Sequence, residues 1–125
     1  MPQVLIVEPD HDIALLLRDA LALAHITGIS VGGHGPQGAV MIAIAVHPDV
    51  ILLELMPFGI AVARALRNHG FCQTPIIATT TSPACAQVAR ASGLFVEVIE
   101  KPFELDDLLL CVSHALPERS RAHSA

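Results

Sequence analysis

The chain has 125 residues, a formal net charge of −5 and 53% apolar residues. That is enough for one domain with its own core, and with one lysine and scattered arginines there is no basic stripe of the kind that direct nucleic-acid binding needs. The longest apolar stretch, Ala39–Val46, is far short of the roughly 18 residues that cross a bilayer, and Met1-Pro2-Gln3 lacks the basic and apolar segments of a secretory signal.

Taken in chain order, short apolar runs alternate with amphipathic stretches five times. Val4–Val7 reads as a strand. Ile13, Leu16, Leu17, Ala20, Leu21 and Ala24 recur at helical spacing and predict a helix from about Asp12 to His25. Ile29–Val31 is a weak second strand ended by Gly32-Gly33. Pro36 opens a helix through Val46, which His47-Pro48 stops, because the residue before proline disfavours helix. Val50–Leu53 has no polar alternation, as a central parallel strand covered on both faces requires. A helix follows from about Ile60 to Asn68, then a strand beginning Pro75–Ala78, then a helix over Pro83–Ser92 stopped by Gly93. Phe95–Ile99 is the fifth strand. The last helix puts Leu105, Leu108, Leu109, Val112 and Leu116 on one face and ends at Pro117. One domain over 1–117 is expected, followed by a polar tail, Glu118–Ala125.

A βα unit repeated five times predicts an α/β doubly wound parallel sheet, with flavodoxin-like (βα)5 order 2-1-3-4-5 as the leading topology. That order makes strands 1 and 3 neighbours at the switch point, where such folds bind ligands. Chemistry-bearing residues gather at the strand ends: Glu8-Pro9-Asp10 after the first, Glu54 after the third, Thr79-Thr80-Thr81 after the fourth and Lys101-Pro102 after the fifth. The odd, widely spaced Cys72, Cys85 and Cys111 read as reduced thiols of a cytoplasmic protein, not as a zinc site. The richness in apolar residues points to surface covered by a partner.

Four segments, in order and each at a strand end, resemble the receiver domain of bacterial response regulators, of the chemotaxis-regulator kind. They are Val4 to Asp10, His47 to Pro57, Thr74 to Thr80, and Lys101-Pro102-Phe103. The resemblance runs from Val4 to about Leu116. It implies a module of two-component phosphorelay signalling, partnered by a sensor kinase, and a cis peptide bond at Lys101-Pro102. In that family two acidic residues after strand 1, an acceptor aspartate after strand 3 and a loop carbonyl hold Mg²⁺ while the aspartate takes a phosphoryl group. A lysine contacts that group, and a threonine hydroxyl moves onto it. Carried over, the equivalents are Glu8, Asp10, Glu54, Thr80 and Lys101, with Glu8, Glu54 and the Met56 carbonyl as the metal set.

The departures point one way. Glu54 replaces the acceptor aspartate and moves its carboxylate by about 1.5 Å, where a misplacement of about 1 Å costs about 100-fold. Pro9 falls on the second acidic position and Asp10 is one residue late. The loop Glu54 to Gly59 is about three residues short, and Val98 falls where the family has a switch aromatic. The expectation is an atypical, non-enzymatic receiver that lacks the phosphoacceptor aspartate, binds Mg²⁺ weakly or not at all, and acts through protein contacts. Glu54 is then either a permanent charge beside Lys101 and Thr80 that partly imitates a phosphorylated aspartate, or a plain structural ion pair with Lys101. Asp10 reads better as the N-cap of the first helix than as a ligand.

The threonine run by itself suits a strand end, and the seven histidines suit surface or capping roles. Asp49 lies at the opposite end of strand 3. Leu110 and Cys111, off the core stripe of the last helix, and the alanines of the fourth helix, Ala84, Ala86, Ala89 and Ala91, mark a helix 4–strand 5–helix 5 face for a homodimer or a protein partner. The alternative is a working phosphoacceptor with a metal site rebuilt from Glu8, Asp10 and Glu54. An unrelated flavodoxin-like enzyme or flavin binder finds no support: there is no Trp or Tyr, no Gly-rich loop after strand 1, and no Ser or Cys nucleophile at a strand end.

Overall fold

The computed structural model describes residues 1–32 and 35–117; Gly33, His34 and the tail Glu118–Ala125 lie outside the described residues. The elements run β1 (Gln3–Val7), α1 (His11–Leu23), β2 (Thr27–Val31), α2 (Gly35–Val46), β3 (Val50–Glu54), α3 (Gly59–Asn68), β4 (Ile76–Thr80), α4 (Pro83–Ser92), β5 (Glu97–Glu100) and α5 (Leu105–Ala115). The strands form one parallel sheet in the order β2-β1-β3-β4-β5, as expected from the repeat.

Strand side chains alternate between faces, and the sheet divides its apolar residues accordingly. Leu5, Ile51, Leu53, Ile76 and Ala78 face α2, α3 and α4, whose Ala39, Val62, Leu66 and Ala86 close over them. Val4, Ile6, Val50, Leu52 and Ile77 face α1 and α5, with Leu17, Leu21, Leu108 and Val112. Both faces of the central strands are thus covered, which is why Val50–Leu53 is apolar without interruption.

The helix ends follow local chemistry. Asp10 is in extended conformation and its Oδ1 accepts the backbone N–H of Asp12 and of Ile13, at 3.0 and 3.2 Å. The Ser82 hydroxyl caps α4 by accepting the Cys85 N–H, and Gly93 ends that helix in the left-handed region, at φ 74°. His25 and His47, just past the ends of α1 and α2, also adopt positive φ, so two of the histidines serve helix termination. Arg67, in the last turn of α3, donates to the carbonyls of Phe71, Thr74 and Leu94. That clamp ties the α3–β4 connection to the segment before β5. Burial lowers the Arg67 pKa from its ordinary value, with Cys72 opposing the shift.

Several sequence-based expectations need correction. The fourth strand begins at Ile76 rather than Pro75, since proline has no N–H to give the ladder. The fifth strand begins at Glu97, two residues later than Phe95. The second is longer than Ile29–Val31; Gly28 masked its start, yet a Cβ there would lie 2.9 Å from Ile6 and 3.3 Å from the Arg18 backbone. Leu16, expected in the core stripe of α1, is 53% exposed, and Ala14 is buried in its place. The alanines of α4 do not form one smooth outer surface: Ala86 and Ala89 are buried, leaving Ala84, Val88 and Ala91 outside. Cys111 is half-buried against the core rather than wholly off it.

Candidate functional site

Parallel register brings the strand ends to one edge. Val7 pairs with Leu53, Glu54 with Thr79, and Thr80 with Glu100. The residues at or just past those positions, Glu8, Glu54, Thr79 and Lys101, therefore share one side of the sheet's carboxyl end.

Lys101 sits at the centre. Its backbone N–H donates to the Thr80 carbonyl at 2.7 Å, and its peptide bond to Pro102 is cis, as the resemblance implies. Its Nζ lies 2.9 Å from Glu54 Oε2 and 3.3 Å from Glu8 Oε1. The three side chains are 19%, 10% and 5% exposed, in the order Lys101, Glu54, Glu8. Burial pulls the Lys101 pKa down, but the hydrogen bond and charge of Glu54, with those of Glu8, outweigh it and hold the ammonium above its ordinary 10.5.

The carboxylates are further engaged. The Thr79 hydroxyl donates to Glu54 Oε2 at 2.9 Å, and the Asp10 N–H donates to Glu8 Oε2 at 3.2 Å. No buried side-chain nitrogen or oxygen among the described residues lacks a partner. The arrangement is a closed cluster of two carboxylates, one ammonium and one hydroxyl.

Among the residues expected at the site, Glu8, Glu54 and Lys101 come together. Thr80 does not reach Glu54. Strand alternation puts Thr79 on the face shared by Glu54 and Ile77, and turns Thr80 toward the other. The buried Thr80 hydroxyl instead accepts the Ser82 N–H at 3.1 Å, at the start of α4. Thr79 is thus the site residue that sequence reasoning missed. The period-two pattern shared by Leu52-x-Glu54 and Ile77-x-Thr79 carried the signal, but a run of three threonines hides it.

Asp10 is taken up by the α1 cap, so the site rebuilt from Glu8, Asp10 and Glu54 is not assembled. Met56 is exposed, its peptide bond to Pro57 is cis, and its sulfur lies 3.8 Å from the Cys85 thiol. The short loop works because Gly59 starts α3 directly on the end of β3. A Cβ at Gly59 would lie 2.7 Å from the Glu54 carbonyl oxygen. The Gly59 N–H donates to the Leu55 carbonyl at 2.8 Å, so a hydrogen-bonded turn leads straight into α3. Val98, at the position of the family's switch aromatic, is buried beside Ala86 and Ala89.

As arranged, these donors do not fit a divalent cation. The ammonium lies between the two carboxylates, Pro9 supplies no side-chain oxygen, and no three His, Cys, Asp or Glu side chains converge among the described residues.

No protein-family model matches the chain. Among curated proteins it is similar to Regulatory protein AtoC of Escherichia coli K12, at 33% identity over 94% of this chain, and it spans about a quarter (26%) of that protein's length. Among solved structures it is similar to the Vibrio cholerae chemotaxis protein CheY4, with a TM-score of 0.81 and 27% identity over 93% of this chain and 99% of that one. It also shares its fold with the BeF3-activated N-terminal receiver domain of Klebsiella pneumoniae RstA, with a TM-score of 0.81 and 21% identity over 93% and 99% of the two chains.

Proposed function

From a chain that is a receiver-like module of the two-component, response-regulator type, we propose an atypical, non-enzymatic receiver that acts through protein contacts in the cytoplasm and takes no phosphoryl group. Its single domain spans 1–117. One observation carries this: the carboxylate at the acceptor position, Glu54, is held at one oxygen by both Lys101 and Thr79. An acceptor needs a free, metal-polarised approach for the incoming phosphoryl group. Here an ammonium sits on that Glu54 oxygen and on Glu8, so both carboxylates of the usual metal set are already paired within the chain and Mg²⁺ is weakly held or not held.

The hydroxyl that would report the state of the acceptor is also committed. Thr80 is bonded to the start of α4 while Glu54 is already charged, so the surface of α4, β5 and α5 is set without a phosphorylation event. That surface exposes Val96 and Leu110 and is the face we assign to a second copy or to a protein partner, a sensor kinase included. Neither nucleic acid nor membrane is a direct partner.

Intact-mass measurement after incubation with Mg²⁺ and acetyl phosphate tests the reading. An unmodified mass is expected for the native chain. A stable phosphoryl adduct on Glu54 would refute it in favour of a working acceptor.

A further inference from the structure

Glu8 and Glu54 come from neighbouring strands and are almost wholly removed from solvent. Two negative charges in so dry a place require a counter-charge. The ammonium that reaches them comes from the far side of β4, beyond the end of β5, and touches both at 2.9 and 3.3 Å. We propose that Lys101 is the resident cation of this site, standing in for a divalent ion, so that the folded chain is indifferent to Mg²⁺ and becomes responsive to divalent cations only when the lysine is removed.

Three observations carry the idea. First, Nζ lies within bonding distance of both carboxylates, so a divalent ion would have to displace an ammonium held by two charge-assisted contacts. Second, the other oxygen of Glu8 is taken by the Asp10 N–H, and the Glu54 oxygen that meets Lys101 also takes the Thr79 hydroxyl. Third, the position where a third carboxylate would join them is Pro9, and Asp10 is committed to α1. Mg²⁺ sheds its water reluctantly and favours near-octahedral oxygen sites, so it gains little here. Without the ammonium the balance reverses: two buried carboxylates lose the cation that bridges them, and a divalent ion held by those two carboxylates and its own water becomes the available replacement.

The inference rests on Glu54 as a non-accepting carboxylate, but its test uses no phosphodonor. Thermal unfolding of the whole chain is followed in Mg²⁺ or Mn²⁺ against NaCl of equal ionic strength, with electron paramagnetic resonance to count bound Mn²⁺. The native chain is expected to melt at the same temperature in both and to bind no Mn²⁺ saturably. Lys101→Gln and Lys101→Ala are expected to melt lower in NaCl, to bind one Mn²⁺, and to recover by roughly 5 °C at ten times the dissociation constant. Adding Glu8→Gln should abolish that recovery.

Saturable Mn²⁺ binding that raises the melting temperature of the native chain overturns the inference, as do folded Lys101 variants that bind no Mn²⁺. Should neither variant fold, the native titration decides alone: saturable binding refutes, its absence supports. A native chain that binds Mg²⁺ but gains no phosphoryl group overturns the resident cation and leaves the proposed function standing.

Discussion

Lys101 is the only lysine of the chain, and its place shows why a single residue outweighs the rest of the surface charge. An exposed pair such as Arg90–Glu100, half in solvent, contributes little. The Lys101 cluster is mostly desolvated, and a buried charge left without its partner is far more costly than the intact set is favourable. Lys101→Met is therefore expected to destabilise the fold by about 3 kcal/mol. Combining it with Glu8→Gln and Glu54→Gln should recover much of that loss, because no unpaired charge then remains. Urea unfolding of the single and triple variants makes the comparison; a triple variant as unstable as the sum of its parts would contradict the cluster.

The same shift sets a pH window. A raised folded-state pKa means that the Lys101 contribution is fully present below the ordinary 10.5 and is lost as the pH rises through the higher folded value. The stability gap between the native chain and Lys101→Met should stay level up to the ordinary value of 10.5 and narrow as the pH rises from there through the folded value.

At the scale of the element, one side chain performs one of two possible duties, and the local backbone decides which. Asp10 sits one residue past the position that faces the site, in the extended conformation of an N-cap, and its oxygen takes the free N–H groups of the first turn of α1. Asp10→Ala is expected to cost about 1 kcal/mol through the lost cap, with no change in divalent-ion response. Chemical denaturation and a Mg²⁺ titration of the variant would check both halves. A metal-linked effect would place Asp10 back in the site. The α3 start is a second case of the same kind: Gly59 permits the short loop because any side chain there meets the Glu54 carbonyl. The short loop and the placement of Glu54 at its start are therefore one structural fact.

For the whole molecule, the charged cluster and the proposed docking face are separated in space. The charged cluster lies at the carboxyl end of the sheet, while Val96, just before β5, and Leu110 of α5 are exposed apolar residues away from it. Leu110 is 55% exposed on α5, and Val96 is exposed just before β5. The Cys111 thiol beside Leu110 is pushed above its ordinary pKa by burial, with Glu97 and Asp107 adding to the shift, which disfavours the thiolate there. If the face joins two copies, light scattering should give a dimer for the native chain and a monomer for Leu110→Glu. An unchanged dimer, or a monomer in both, would remove this interface from the proposal.

The fold was legible in the order of residues because it depends on periodicity. Five apolar runs at strand length, five helical stripes and their caps determine a parallel (βα)5 sheet, and Asp10 could be assigned to its cap from local chemistry alone. The identity of the site was legible only in outline: Glu8, Glu54 and Lys101 announce themselves by standing at strand ends. Sheet register and desolvation decided what the sequence left open. Register selected Thr79 over Thr80, because one step along a strand reverses the face. Folding brought an ammonium from the fifth strand end between carboxylates from the first and third, because low-dielectric burial favours neutralising their charge within the chain. No spacing along the sequence encodes that contact, which joins residues 93 positions apart.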